Sequence, residues 1–333
     1  MFRVLSIVVL QLAGFVSLAT AGPFDSHLTS GVAPASIAAW AKTVQDYSPT
    51  SEVVHLDTFG GGPHDEPARG LGPANGTTVS LGDLDSAAIS GGTAPGSIVV
   101  SFQATIVDGP GADFAVFENA GAFFDSHDVD FIFAELAFVE VSSNGSDFAR
   151  FPATSLNIEV DPNTPDPDHN QIHTPFGRNF AGINTTNVDN LVGIHPALTG
   201  TPFDLSDLAT HTLVTQGTVD LNGIQFVRFV DIPGEGSFTD SLGNPILDAW
   251  KTVESGGFDL DAVGAINAVP EPTSLVLTSL ALLGTFARVR RNDVTTGNRL
   301  RAPRDLSRRR TVFSLRSPWL RSSCGPGSEL SAR

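Results

Sequence analysis

Apolar residues along the middle of this chain form short runs that alternate with glycine-, asparagine- and proline-containing turns. Runs of this length, rich in β-branched and aromatic residues, are typical of strands. The dipeptide Asn144-Gly145 lies between two of these runs and predicts a hairpin turn. The predicted strands cover residues 97–106, 114–118, 131–142, 148–151, 224–232 and 258–266.

One helix is predicted near the start of this region, over residues 34–46. Ile37, Trp40 and Val44 recur there at helical spacing, and a proline follows the segment. Many short strands, one short N-terminal helix and no βαβ alternation predict an all-β fold. We expect a two-sheet sandwich of the jelly-roll type, formed by a single domain over residues 22–269.

The two ends of the chain differ from the strand-rich middle. Residues 1–21 combine an early arginine, an apolar stretch and the small residues Ala-Thr-Ala, which is the pattern of a cleaved secretory signal peptide. A second apolar run, over residues 273–287, is short for a membrane span but is followed by an arginine cluster. An exported chain that stops at this run leaves its acidic part outside and its arginines inside. We therefore expect a C-terminal membrane helix in the precursor.

The order of elements at this end resembles the PEP-CTERM sorting signal of Gram-negative bacteria, which has a Pro-Glu-Pro triplet, a short membrane helix and an arginine cluster. The resemblance covers residues 270–291. It implies that signal peptidase acts during export and that an exosortase then processes the chain near the triplet. The mature protein then passes from an inner-membrane intermediate to the cell surface or extracellular matrix. The residues that match the signal are Pro270, Glu271, Pro272, Arg288, Arg290 and Arg291.

Residues 292–333 continue beyond the point where such signals normally end. The segment is arginine-rich, has no helical or strand periodicity and contains the single cysteine, Cys324. We interpret it as a disordered or non-native extension, translated past a lost stop codon or a frameshift. A basic cytoplasmic tail that binds anionic lipid is the alternative.

Parts of the middle region resemble known extracellular β-sandwiches. Residues 138–151 (FVEVSSNGSDFARF) are similar to the strand-turn-strand of discoidin-like, galactose-binding domains. Four other segments resemble, in order, a family of bacterial cell-surface proteins that often carry a C-terminal sorting signal. This likeness implies a surface β-sandwich and supplies no established activity. The segments are 109–120 (GPGADFAVFENA), 201–208 (TPFDLSDL), 243–250 (GNPILDAW) and 256–266 (GGFDLDAVGAI).

Charge divides the chain into two parts. The whole sequence has a formal charge of −17, but residues 22–269 contain 32 acids against six bases, which gives this region a formal charge of −26. Such a region is repelled by phosphate backbones, so nucleic acid is excluded as a partner. The region also contains no cysteine, which excludes thiol nucleophiles and disulfides from it.

Carboxylates are densest over residues 108–140, where no lysine or arginine accompanies them. Acids crowded without cationic partners protonate, stay solvated or bind cations, and outside a cell hard oxygen ligands favour calcium. We expect ligands on either side of the 114–118 strand and before the next strand to converge at one edge. The last strand also carries two acids on one face, which need a metal ion or Arg228 as a partner. A solvated acidic surface is the alternative. The candidate calcium ligands are Asp113, Glu118, Asn119, Asp128, Asp130, Asp259 and Asp261.

The sequence contains no Gly-x-Ser-x-Gly elbow, zinc-peptidase motif or phosphate-binding loop. The leading interpretation is therefore a non-enzymatic, calcium-stabilised protein of the cell surface or extracellular matrix. A carbohydrate-binding module is the first alternative, with extracellular polysaccharide as its partner and Trp250 as an aromatic platform. An extracellular hydrolase is the second alternative, with Glu118 paired with Glu135 or Glu140 as its two carboxylates.

Overall fold

The computed structural model describes residues 22–50, 53, 62–122, 131–159, 170–174 and 177–270. Short helices and strands make up this part of the chain. Its α-helices are α1 (His27–Ser30), α2 (Ser86–Ser90) and α3 (Thr212–Thr215), and its 3-10 turns are Pro34–Ser36, Pro67–Gly70, Arg178–Phe180, Thr185–Asn187 and Leu205–Leu208. Its strands are β1 (Ala39–Trp40), β2 (Thr43–Ser48), β3 (Val79–Ser80), β4 (Ser97–Ile106), β5 (Phe114–Glu118), β6 (Gly121–Ala122), β7 (Phe131–Phe133), β8 (Ala137–Ser142), β9 (Ala149–Arg150), β10 (Thr154–Ser155), β11 (Gly182–Asn184), β12 (Val188–Asp189), β13 (Leu191–Val192), β14 (Thr201–Phe203), β15 (Ile224–Asp231), β16 (Glu235–Thr239), β17 (Pro245–Leu247), β18 (Asp259–Ala265) and β19 (Ala268–Pro270).

Two larger antiparallel sheets contain most of these strands. The first sheet has the order β1-β18-β5-β14, and β3 also pairs with β18. The second sheet has the order β13-β8-β15-β4-β19, and β2 also pairs with β4 and β9 with β8. Smaller antiparallel sheets are formed by β11-β7-β6, β10-β12 and β16-β17. The prediction of an all-β protein with few helical residues is confirmed.

Most of the predicted strands are present. β4 and β5 have the predicted bounds, and β15 and β18 are shorter than predicted by one residue at one or both ends. The predicted hairpin turn joins β8 to β9, which pair with each other. In this turn, Oδ1 of Asn144 accepts hydrogen bonds from the N–H groups of Ser146 and Asp147, both at 2.9 Å. Gly145 has a φ of +74°, a left-handed conformation that favours glycine.

The predicted strand over residues 131–142 consists of two strands, β7 and β8, with an interruption at residues 134–136. The backbone of this interruption forms hydrogen bonds outside the two larger sheets. The N–H of Leu136 donates to the Asp248 side chain at 2.7 Å, and the carbonyl of Ala134 accepts from the N–H of Ala249 at 3.4 Å. The interruption is buried like the strands beside it, so the apolar pattern alone could not reveal it.

The helix predicted over residues 34–46 is wrong. This segment forms a 3-10 turn and then β1 and β2, which pair with β18 and β4. Its apolar residues pack against different neighbours: the ring of Trp40 lies 5.4 Å from that of Phe117, whereas Val44 packs against the buried cluster that contains Val100. Strand pairing and packing outweigh the helical spacing of these residues, because local propensity is a weak preference that tertiary contacts override.

The largest buried cluster, which we call the main core, consists of apolar side chains from both larger sheets. Val116 and Val263 belong to the first sheet, and Val100 and Val227 belong to the second. Removal of this surface from water is the main term that stabilises the fold. An aromatic centre lies in this cluster, with ring centroids 5.2, 5.9 and 5.1 Å apart, and consists of Phe114, Phe151 and Phe203.

Among the described residues, no helix has the length and apolar character that a membrane span requires. The predicted signal peptide (1–21), membrane helix (273–287) and basic tail (292–333) lie outside the described residues. So do two candidate calcium ligands and most of the sorting signal, namely Asp128, Asp130, Glu271, Pro272, Arg288, Arg290 and Arg291.

Candidate functional site

A group of three acids surrounds the start of β5. Asp108 and Asp113 lie in the loop before this strand, and Asp204 follows β14, which pairs with β5. One carboxylate oxygen from each acid lies within 4.8 Å of those of the other two. Asp113 is buried, Asp204 is half-buried and Asp108 is exposed, so the group extends from the interior to solvent. We call these residues the three-acid group.

Hydrogen bonds fix Asp113, the inner member of this group. Its Oδ1 accepts from the N–H of Gly109 at 2.7 Å and from Nδ2 of Asn267 at 2.8 Å. Its Oδ2 accepts from the N–H of Leu205 at 2.8 Å and retains a lone pair for another ligand. Burial raises the pKa of Asp113, and the charge of Asp204 raises it further, whereas the hydrogen bonds lower it.

The three-acid group has the chemistry of a calcium ligand set. Calcium takes six to eight oxygen ligands at about 2.3–2.6 Å, from carboxylates, carbonyls and water. The three acids supply carboxylate oxygens, and water can reach the group from the side of Asp108. No other set of three acids or histidines in the described part of the chain has ligand atoms this close together.

The other predicted ligands on β5 lie at its opposite end. Glu118 is the last residue of β5, whereas Asp113 precedes its first residue. Strand residues rise by about 3.3 Å each, so the five residues of β5 separate these acids by roughly 15 Å. The structure therefore does not bring Asp113 and Glu118 into one site.

Glu118, Asn119 and Asp259 form a local group at this opposite end. Nδ2 of Asn119 donates a hydrogen bond to Oδ2 of Asp259 at 2.8 Å, and the N–H of Ala120 donates one to Oε2 of Glu118 at 2.7 Å. Burial raises the pKa of Glu118 well above its usual range, and the charges of Asp259 and Asp261 add to this shift. The structure thus brings these predicted ligands close together.

Asp261 holds a turn that precedes β3. Its carboxylate accepts hydrogen bonds from the N–H groups of Asn75 and Gly76 at 3.0–3.1 Å. Burial raises the pKa of Asp261, whereas these hydrogen bonds and the charge of Arg69 lower it. These contacts give Asp261 a structural role in tying the turn to β18.

Further buried acids lie close enough to Asp259 for its charge to raise the pKa values of two of them, Glu135 and Asp231. We define the buried acid cluster as Glu135, Asp231, Asp248 and Asp259, with Asp83 and Glu118 at its margins. All six are buried. The sequence analysis did not assign Asp83, Asp231 or Asp248 to a site. An acid at the end of an apolar run is a signal that could have marked Asp231, which ends 224–231, and Asp248, which ends 245–248.

These acids raise one another's pKa values. Burial raises the pKa values of Glu135, Asp231 and Asp248 well above the usual range. The charges of Asp259, Asp248 and Asp231 add to the shift of Glu135, and the charge of Asp83 adds to those of Asp231 and Asp248. Burial raises the pKa of Asp83 from 3.8 to about 6.

Two arginines pair with a different acid. Nε of Arg150 donates to Oε1 of Glu140 at 2.8 Å, and Nε of Arg228 donates to Oε2 of the same carboxylate. Glu140 is buried between them on β8. The structure thus places Arg228 beside Glu140, which joins three neighbouring strands by ion pairs.

Trp250 is half-buried and its polar groups are engaged. Its Nε1 donates to the carbonyl of Leu84 at 2.9 Å, and its backbone N–H donates to the carbonyl of Arg178 at 2.9 Å.

A surface cavity of about 320 Å³ lies elsewhere on the protein. Its lining includes Arg150, Phe151, Asp207, Thr210, His211 and Ser241.

Pro270 is the last described residue and ends β19, where it pairs with Ala104 of β4. The fold and its acidic groups together define an all-β protein with carboxylate-rich sites. Neither a scan against protein-family models nor a search of curated proteins gives a match to this chain.

Proposed function

We propose that this chain is the precursor of an exported, non-enzymatic protein of the bacterial cell surface or extracellular matrix, stabilised by calcium. A two-sheet sandwich of the jelly-roll type is part of this proposal. It is supported by the main core, because that cluster draws apolar side chains from both larger sheets. The absence of cysteine from residues 22–269 means that other interactions must stabilise the exported region.

The three-acid group is the observation that carries the calcium part of the proposal. Asp113 is fixed by three donors, and the ligand atoms of Asp108 and Asp204 lie within 4.8 Å of it. Three carboxylates this close repel one another when ionised. A calcium ion offsets that repulsion and links the loop before β5 to the segment after β14. Because the ion binds the folded chain, it stabilises that state.

Thermal unfolding of the full chain with calcium and with chelator tests this proposal. We expect calcium to raise the midpoint and chelator to lower it. Asp108→Asn should remove part of the calcium-dependent shift and leave the chelator-treated midpoint nearly unchanged, because Asp108 is exposed. Asp25→Asn, a change at another exposed acid, is the control and should keep the full shift. Equal midpoints with calcium and with chelator, and no calcium in elemental analysis, would contradict the proposal.

Export and sorting form the second part of the proposal, and they rest on the sequence resemblance. The position of Pro270 is compatible with it, because the pairs of Ala268 with Ile106 and of Val269 with Thr105 precede the triplet and are kept after exosortase processing at residues 270–272. Intact-mass measurement of protein recovered from its producing cells is the test. We expect a species that begins at Gly22 and lacks everything beyond the Pro-Glu-Pro region. Recovery of a species that contains Cys324 argues against this processing.

Carbohydrate binding is a second candidate function, favoured by the surface cavity. Arg150, Asp207, Thr210 and Ser241 offer donors and acceptors there that suit sugar hydroxyl groups. A glycan array probed with the full chain tests this candidate. Loss of a signal in Asp207→Asn, but not in Trp250→Phe, assigns the binding to the cavity. The reverse result assigns it to the Trp250 platform, and no signal with wild type argues against the candidate.

A further inference from the structure

Two acids of the buried acid cluster each have one oxygen with a donor and one without. The N–H of Phe258 donates to Oδ1 of Asp231, and the N–H of Leu136 donates to Oδ2 of Asp248, both at 2.7 Å. The second oxygens, Oδ2 of Asp231 and Oδ1 of Asp248, are buried and accept no hydrogen bond. Buried polar atoms are nearly always satisfied in folded proteins, so these two oxygens point to a ligand.

Four different segments bring acids to this place. Asp231 ends β15, Asp248 follows β17, Asp259 begins β18 and Glu135 lies in the interruption before β8. The register of β15 with β8 pairs Asp231 with Ala137, two residues from Glu135. These segments belong to both larger sheets and to the small β16-β17 sheet. A ligand bound here therefore links parts of the fold that are distant in sequence.

The nearby positive charge is smaller than the negative charge. The guanidinium of Arg178 donates to the backbone carbonyls of Asp248 and Gly234, and its charge lowers the pKa of Asp248. For Glu135 and Asp231, the charges that shift the pKa are those of other acids. The charge of Lys251 lowers the pKa of Asp83 at the margin of the cluster. Fully ionised, the four acids of the cluster carry four negative charges, which Arg178 and Lys251 together cannot balance. A cation is the ligand that this imbalance favours.

Two glycines make room for the carboxylates. A Cβ at position 234 would lie 1.6 Å from Oδ1 of Asp248, and a Cβ at position 257 would lie 2.7 Å from Oδ1 of Asp231. Any larger residue at Gly234 would occupy the position of the unsatisfied Asp248 oxygen. The lack of side chains at both positions is thus required for these acids to take their observed positions.

We propose that Glu135, Asp231, Asp248 and Asp259 form a buried site for a divalent cation, with calcium favoured because all the ligands are hard oxygens. This site is separate from the three-acid group and does not depend on it. Among the described residues, no three of these acids have ligand atoms mutually within 4.8 Å. The ion therefore draws the carboxylates together as it binds.

Calcium content of the full chain tests the proposal. After dialysis against calcium, elemental analysis should give two ions per wild-type chain and one per chain in both Asp231→Asn and Glu135→Gln. Asp108→Asn should also give one ion, because it affects only the three-acid group. Asp25→Asn is the control and should keep both ions. Asp231→Asn preserves an acceptor for the N–H of Phe258, so we expect this variant to fold.

The pattern of losses separates the two sites. One wild-type ion that is lost in Asp231→Asn and kept in Asp108→Asn supports the buried site and contradicts the three-acid group. If neither Asp231→Asn nor Glu135→Gln changes the ion content, the proposal of a buried site is overturned. If these variants do not fold, wild-type crystals soaked in terbium(III) decide the question. An anomalous peak between Asp231 and Asp248 supports the site, and no peak there overturns it.

Discussion

The backbone N–H of Phe258 donates a 2.7 Å hydrogen bond to Oδ1 of Asp231. Asp231 is wholly buried at the end of β15 in one larger sheet, and Phe258 directly precedes β18 in the other. Their contact is therefore a polar link between the two sheets, placed beside the apolar core. Phe229 and Phe258 stack nearby, with ring centroids 5.6 Å apart.

Removal of this acceptor should destabilise the protein even without a metal ion. In chelator-treated protein, we expect Asp231→Ala to lower the free energy of unfolding by about 1–3 kcal/mol relative to Asp231→Asn, because only the alanine leaves the N–H of Phe258 unsatisfied. Urea denaturation monitored by circular dichroism measures the difference. Equal stabilities of the two variants would show that the hydrogen bond contributes nothing.

Glu140 should contribute to stability through its two arginines. Glu140→Gln removes the charge that Arg150 and Arg228 share. Hydrogen bonds to charged groups contribute about 1.5–3 kcal/mol, but the arginine side chains are 44% and 34% exposed, which weakens the interaction. We expect a loss of about 1–2 kcal/mol in urea denaturation. Glu66→Gln, at an exposed acid, is the control, and the same midpoint for both variants would contradict the prediction.

Asp83 should make stability depend on pH. Burial raises its pKa from 3.8 to about 6, whereas the charge of Lys251 lowers it. An acid with a higher pKa in the folded state binds its proton more tightly there. Its contribution to stability is therefore greatest at low pH, falls as the pH rises from about 4 to about 6, and is constant above that range.

Asp83→Asn should remove this part of the pH dependence. In chelator-treated protein, we expect the free energy of unfolding of wild type to fall relative to that of the variant by about 2–3 kcal/mol between pH 4 and pH 6. The charge of Asp83 raises the pKa values of Asp231 and Asp248. These two acids also make the free energy of unfolding depend on pH, both in wild type and in the variant. Parallel curves for wild type and variant would rule out the assignment to Asp83.

Gly257 should tolerate alanine less well than another glycine with a similar backbone. Gly257 has a φ of +68° and Gly111 a φ of +76°, so a side chain costs about 1–2 kcal/mol at either position. A Cβ at Gly257 would also lie 2.7 Å from Oδ1 of Asp231 and 2.8 Å from the carbonyl of Gly82, whereas none of the surrounding atoms lies within 4 Å at Gly111. We expect Gly257→Ala to be about 1–3 kcal/mol less stable than Gly111→Ala in urea denaturation. Equal losses would contradict the steric account.

The strand predictions were most accurate for two runs that no interruption divides. β4 and β5 have the predicted bounds, since their apolar runs are bordered by turn residues. The prediction over residues 34–46 failed because the same apolar spacing satisfies one helix or two short strands. Only the pairing of β1 with β18 and of β2 with β4 decides between these structures.

The sequence predicted that the candidate sites would consist of acids, but it could not predict which acids share a site. The sequence singled out Asp113 as a candidate ligand, but its partners Asp108 and Asp204 come together because β14 pairs with β5. Asp113 and Glu118 are five positions apart in sequence, but they lie at opposite ends of β5. Asp231 and Asp248 reach the same interior region from separate sheets.

The sequence by itself determined the all-β class, the positions of the longest strands and the strong acidity of residues 22–269, because periodicity, turn residues and charge are local properties. It also carries the predictions about export and sorting, which come from the two ends of the chain. Tertiary structure decided which acids are buried and which share a site. That outcome depends on strand register between distant segments, since a carboxylate's neighbours and solvation exist only once the sheets have formed.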